Sequence, residues 1–422
     1  MIEKIYNDII KETCLKYVCS SGTEVYMLPM KGWSTAVAQF TARFGSQDNA
    51  FVSDGRLIEI PDGTAHYLEH KLFESEEKDA FSLFAQTGAS CNAGTSFDYT
   101  QYYFNCADNF RKNLEILLGF VSEPYFTEEN VEKERGIIGQ EITMYRDNPS
   151  WRVFTNLLEG IYVKNPVRLD IAGTAESIAK ITPKTLTDCY NAFYSPSNMF
   201  LCAAGNIDPD EIVEICEEKI KKSKPFRVET ADHDEPYEVN QKITRLSMPV
   251  SKPIFEIGFK RPAVYKEREI EDYIYFNILL DMLFGNASEF YEQMRVDGIL
   301  NDEWSVTVFN GRGHFFLAAR GESESPELVL EKMQELFNRN KKNPPERELF
   351  ERVKKATYGS LVKEFANVRS VCNTLTEAVL SEVSPFCAIQ TTASVSYEKL
   401  LEKLSDIDAE NACISVVEPI GD

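Results

Sequence analysis

His66-Tyr67-Leu68-Glu69-His70 gathers two of the chain's four histidines and a carboxylate into five residues. Random placement at this composition gives on the order of 0.004 such H-x-x-E-H matches, so the cluster asks for a chemical reason. On a helix, at ~100° per residue, Glu69 falls about 60° to one side of His66 and His70 about 40° to the other. All three side chains then share one narrow face. Two neutral imidazoles one turn apart can hold a single Zn²⁺ at ~2.1 Å, and the carboxylate between them can take a proton from an attacking water. The order reverses the commoner H-E-x-x-H helix. His233, in a polar stretch, and His314, between Gly313 and Phe315, stand apart from the cluster.

A catalytic zinc takes three protein ligands, and with no further histidine nearby the third is expected to be a carboxylate. The stretch from Thr127 to Arg146 reads as a helix and carries Glu134 and Glu141, seven residues apart and so nearly on one face. Glu141 sits among Ile137, Ile138, Ile142 and Met144, where an unpaired carboxylate is costly, and this favours it over Glu134. Glu128, Glu129 and Glu132 crowd the helix start, where acids meet the helix dipole and need no functional account.

The elements that must position these groups follow from periodicity. Thr35 to Phe44 alternates, with Ala36, Ala38, Phe40, Ala42 and Phe44 on one face and Thr35, Gln39, Thr41 and Arg43 on the other, which predicts a half-buried strand. A helix from about Thr64, a strand pair from Ala89 to Cys106, and helices over 109–122 and 127–146 follow it. The second half repeats much of this order. Thr182-Pro-Lys-Thr-Leu186 precedes Asn198 and a strand by nearly the interval at which Ser396-Tyr-Glu-Lys-Leu400 precedes Asn411 and a strand. Between the halves, Lys222 to Asn240 is polar, holds Pro225 and Pro236, and reads as a linker. The expectation is an α+β chain of two homologous domains, residues 1–221 and 241–422, joined by 222–240.

Composition narrows the function. The 422 residues carry 45 Lys and Arg against 67 Asp and Glu, a formal charge of −22. Such a surplus argues against nucleic acid and against an anionic membrane as partners. Neither Met1–Tyr17 nor any other window forms an apolar run of ~18 residues, so no signal peptide or membrane span is expected. The ten cysteines show no C-x-x-C spacing and sit mostly in apolar surroundings, which predicts buried free thiols and a reducing cytoplasm.

His66-x-x-Glu69-His70 followed by Lys133-Glu-Arg-Gly-Ile-Ile-Gly-Gln-Glu141 resembles the pitrilysin/insulysin family of zinc peptidases, which includes the mitochondrial processing peptidases and short bacterial members. The resemblance runs through Ala172-Gly-Thr and Tyr194-Ser-Pro-Ser-Asn198, and more weakly through the second half. It implies a metallopeptidase in which His66, His70 and Glu141 hold one Zn²⁺, Glu69 is the general base and Glu134 stands behind the ligands. Gly88-Ala89-Ser90-Cys91-Asn92-Ala93 resembles the family's edge strand, so Ala89, Ser90, Asn92 and Ala93 are expected to bind substrate. From residue types alone the same segment equally suits a tight turn. In the second half Arg295 matches a substrate-binding arginine, but no tyrosine follows at the usual interval and Trp304 stands in that region.

The resemblance further implies antiparallel-rich sheets packed with helices, one half of a clamshell that closes over peptides or unfolded segments. It also implies a homodimer or a heterodimer with a paralogous subunit. Two other readings stay open, a non-catalytic peptide-binding subunit of a heteromeric complex and a dedicated maturation protease for one precursor peptide.

Overall fold

The strand Ala36–Ala42 shows how the first sheet is held. Its residues alternate in chemistry as expected, yet all seven are buried. The polar face meets the helix Val368–Leu380. Gln39 donates from Nε2 to Asn373 Oδ1 at 2.8 Å and accepts at Oε1 from the Thr376 hydroxyl at 2.8 Å. An amide paired at both ends can be buried without the penalty of an unmet donor. The half-buried strand of the sequence reading is thus a fully buried one, because a distant helix supplies the polar partners.

The computed structural model describes residues 1–53, 55–75, 79–222, 229–230, 233–263 and 267–421. Among them, seven strands form the first sheet in the order Glu3–Asn7, Glu12–Val18, Glu24–Pro29, Met199–Gly205, Ala36–Ala42, Thr100–Cys106 and Ser90–Thr95. A second sheet orders Ile243–Met248, Ala412–Pro419, Ile254–Lys260, His314–Glu322 and Ser305–Gly311. A small third sheet joins Glu229–Thr230, Ala50–Ser53 and Arg56–Glu59. With helices packed on the sheets, the architecture is α+β.

The duplication is plain in the strand senses. The last five strands of the first sheet run parallel, antiparallel, antiparallel and antiparallel to one another, and the second sheet repeats that series. Thr182 and Ser396 are both helix N-caps, for Pro183–Phe193 and Tyr397–Ser405, as their matched positions suggest. By register, Gln39 lies opposite Cys202 and Tyr103, and Glu256 lies opposite Ser415 and Arg320 at the equivalent place. Glu256 Oε2, Ser415 Oγ and Thr244 Oγ1 find no hydrogen-bond partner among the described residues. Burial pushes the Glu256 carboxyl up to about 7, with the Arg320 charge opposing.

Internal packing divides the chain into two units, each discontinuous. The first comprises residues 1–142, 170–232 and 362–380, and the second residues 143–169, 233–361 and 381–422. The contiguous division expected from sequence is therefore crossed twice. Within the second unit, the helix Pro149–Ile161 lies on Ala412–Pro419 and Ile254–Lys260 so closely that glycines are needed. A Cβ on Gly160 would stand 2.4 Å from Cys413 Sγ, and one on Gly258 would stand 2.3 Å from Ile161 Cδ1. Within the first unit, Val368–Leu380 lies on Met199–Gly205 and Ala36–Ala42.

Of the expected linker 222–240, residues 223–228 and 231–232 lie outside the described residues. The end of that stretch is anchored in the second unit. The Glu235 carboxylate accepts from the backbone N–H groups of Val163, Lys164 and Asn165 at 2.9, 2.7 and 2.7 Å, and pairs with buried Lys260 at 2.7 Å. All ten cysteines are free thiols, and eight are buried.

Candidate metal centre

The helix Thr64–Leu72 carries the histidine motif, and its start is set by a close approach of two backbones. Gly63, its N-cap, has φ 87°, and a Cβ there would stand 2.5 Å from the Ala172 carbonyl oxygen. Gly173 answers it, with φ 74° and a Cβ position 2.5 Å from the Asp62 carbonyl oxygen. Left-handed backbone and a backbone wall together leave no room for a side chain. Gly63→Ala is expected to lower stability by about 2–4 kcal/mol, read by urea denaturation. Tyr67, Leu68 and Leu72 bury the other side of the helix, and the Tyr67 hydroxyl donates to the Val131 carbonyl at the start of the helix Glu128–Arg146. This contact ties the motif helix to the helix that bears the two glutamates.

Three donors converge where the helices face one another. One ligand atom each from His66, His70 and Glu141 lies within 4.8 Å of the others. Glu141 Oε2 is 3.7 Å from His66 Nε2 and 3.3 Å from His70 Nε2. Donors ~2.1 Å from a tetrahedral ion stand roughly 3.4 Å apart, so this group fits one zinc-sized cation. The two imidazoles hold the Glu141 carboxyl well below the usual carboxylate range, against the opposing effect of burial. Burial also disfavours a charged His70, but hydrogen bonds to Glu134 and Glu141 and the charges of Glu69 and Glu141 outweigh it and lift its pKa to about 10. Glutamates thus surround His70 with an excess of negative charge, the setting that attracts a cation.

Glu134 is not in the donor group. Its Oε1 lies 3.0 Å from His70 Nδ1, which leaves Nε2 of that ring facing Glu141. Its Oε2 lies 3.8 Å from Lys71 Nζ, a fully buried ammonium that also pairs with Glu74. Glu134→Gln is expected to weaken metal binding about 10- to 100-fold while the fold persists, as measured by chelator competition.

Glu69, almost fully buried, accepts at Oε2 from the Thr95 hydroxyl at 2.6 Å. Thr95 ends the strand Ser90–Thr95, which among the described residues pairs only with Thr100–Cys106 and forms the edge of its sheet. Ala89 leads into that strand, Ser90 and Asn92 are exposed on it, and the Ala93 N–H donates to Asn92 Oδ1. The segment is therefore an open strand edge, the form an extended peptide can join. Arg295 lies in the second unit on the helix Glu289–Val296, well exposed, with Nε 3.6 Å from Asp302 Oδ1. Trp304 takes no place at a surface. It is buried against Phe255 and Phe290, and its indole N–H donates to the Phe284 carbonyl at 2.7 Å. His314 is buried at the start of the strand His314–Glu322.

Comparison with known proteins gives this geometry a family. Residues 46–175, which include both helices of the centre, match the family model described as Insulinase (Peptidase family M16), and residues 180–357 match the Peptidase M16 inactive domain. A Bacillus subtilis protein named uncharacterized zinc protease YmfH is 36% identical over 428 residues, covering 99% of this chain and 100% of that one. The chain belongs to the M16 peptidase family. An M16-like peptidase from Alicyclobacillus acidocaldarius has the same fold, with a TM-score of 0.93 at 32% identity over 99% of both chains. The bovine mitochondrial-processing peptidase subunit beta is 34% identical over 161 residues, 36% of the M16 chain and 32% of that protein. The motif, Glu134 and Glu141 all fall within the Insulinase match, and Arg295 falls within the inactive-domain match.

Sequence reasoning passed over Thr95 and Lys71. Thr95 stands three residues beyond Asn92, and Lys71 directly follows the motif. Only their neighbours in space distinguish them from an ordinary strand threonine and a surface lysine.

Proposed function

We propose that this chain is a zinc-dependent endopeptidase acting on peptides or unfolded segments, with His66, His70 and Glu141 as metal ligands and Glu69 as general base. The observation that carries this reading is the convergence of the three donors beside a buried glutamate that has no part in the donor group. A Zn²⁺ ion held there supplies Lewis acidity, which acidifies a water and polarises a carbonyl. Glu69 takes the proton from the attacking water and passes it to the leaving amine. Glu134 holds the His70 ring so that Nε2 is the ligating atom. The strand edge at Ala89, Ser90, Asn92 and Ala93 receives the peptide backbone as an added strand, and exposed Arg295 is a further substrate contact.

The test is cleavage of a mixed quenched-peptide library by the purified, zinc-loaded chain. Cleavage that chelation abolishes and zinc restores supports the reading. A second reading rests on the bovine relative, which is by its name one subunit of a processing peptidase. A chain that binds zinc but cleaves only after a paralogous subunit is added would favour that partner-dependent form. Among the described residues no helix is long and apolar enough to cross a membrane, and a cytoplasmic site of action is part of the proposal.

A further inference from the structure

The hydroxyl of Thr95 has one proton to give, and its neighbours decide where it goes. Thr95 lies opposite Thr100 across the hairpin, with 3.5 Å between the two hydroxyl oxygens. Thr100 is fully buried and spends its proton on the Phe44 carbonyl at 2.8 Å. The Thr95 proton is left for Glu69 Oε2, at 2.6 Å.

The hairpin that carries Thr95 is itself tightly held. Ser96 N–H donates to the Tyr99 carbonyl at 2.8 Å, and the Ser96 and Phe97 carbonyls accept from the N–H groups of Ser46 and Gln47, each at 3.0 Å. A Cβ on Gly45 would stand 2.2 Å from the Phe97 carbonyl oxygen, so this turn lies directly against another backbone. The Glu69 carboxylate, on a side chain with three rotatable bonds, is therefore tethered at one oxygen to a fixed point.

We propose that Thr95 is a positioning residue for Glu69. It holds Oε2 and leaves Oε1 to meet the attacking water, and so fixes the base to the same strand that receives the substrate. The inference rests on the peptidase reading for its functional consequence, while the tether is a property of the chain's own residues.

Thr95→Val keeps the β-branched shape and removes only the hydroxyl. It is expected to lower kcat about 10- to 100-fold, the range a hydrogen bond to a charged group is worth, with KM and zinc content within about twofold of wild type. Thr95→Ser is expected to restore kcat to within about threefold of wild type. In crystal structures, the Glu69 carboxylate is expected to leave its place in the Val variant and to keep it in the Ser variant. A kcat for Thr95→Val within about twofold of wild type overturns the proposal, since the lost bond predicts a far larger effect. Parallel loss of zinc and melting temperature in that variant overturns it too, because the role would be structural. If the wild type cleaves nothing, the peptidase reading fails, and the crystal structures alone decide. A Glu69 carboxylate unmoved in Thr95→Val then refutes the tether.

Discussion

Glu69→Gln is expected to reduce peptide cleavage by about 10²- to 10⁴-fold while zinc content stays at the wild-type level. The amide matches the carboxylate in size, so the nearly sealed site of Glu69 is neither emptied nor overfilled. Its carbonyl oxygen can still accept from Thr95, which keeps the side chain in place. What it cannot do is take a proton at neutral pH. The proposed ligands are His66, His70 and Glu141, so the substitution removes none of them. Two measurements on one preparation settle it, cleavage of a quenched peptide and metal by mass spectrometry. Near-normal turnover would strip Glu69 of the base role. Loss of zinc along with activity would mean that Glu69 helps to hold the ion.

Glu141→Ala carries the second large effect, and it separates metal from base. Removing Glu141 deletes the carboxylate that both histidines face and leaves two of the three proposed ligands, where a catalytic zinc takes three. Because altering a residue behind the ligands costs about 10- to 100-fold in affinity, deleting a ligand is expected to cost more than about 100-fold. The variant should therefore emerge from mild chelation without metal, and inactive. An independent readout is thermal. An ion that binds the folded chain alone adds about 4 kcal/mol of stability at a thousand times its dissociation constant, so zinc should raise the wild-type Tm and leave the variant's unchanged. Retention of stoichiometric zinc by Glu141→Ala would move the third ligand elsewhere.

The parts of the centre that were legible in sequence were those set by helical spacing. His66, Glu69 and His70 share a face because 3.6 residues make a turn, and Glu134 and Glu141 do so for the same reason. Their meeting across two helices is a tertiary fact. It depends on contacts such as the Tyr67 hydroxyl against the Val131 carbonyl, which no local pattern announces. Polar side chains misled most. Gln39 and Thr41 looked like a wetted face, yet both are buried under a helix more than three hundred positions away in sequence. Lys71, which carries no signal in the sequence, is the least exposed cation beside the centre. Trp304, in the region where the resemblance expects a substrate-binding tyrosine, lies in the core, with its indole N–H donating to the Phe284 carbonyl. Amphipathic helices announce that they will cover a sheet, but they do not say which one.

That ambiguity has a consequence for how the chain is made. The first sheet has its last strand once residue 205 has been synthesised, but the helix that seals its Gln39 face arrives only with residues 368–380. At roughly 5–20 residues per second, the ribosome keeps that face waiting on the order of ten seconds. Meanwhile the helix Pro149–Ile161 has already emerged, and the sheet it covers has not. Neither half can finish folding while the other is unmade. Nascent chains of this protein should thus present two uncovered surfaces at once, the Gln39 face of the first sheet and the apolar face of Pro149–Ile161, until residues 368–419 have been made.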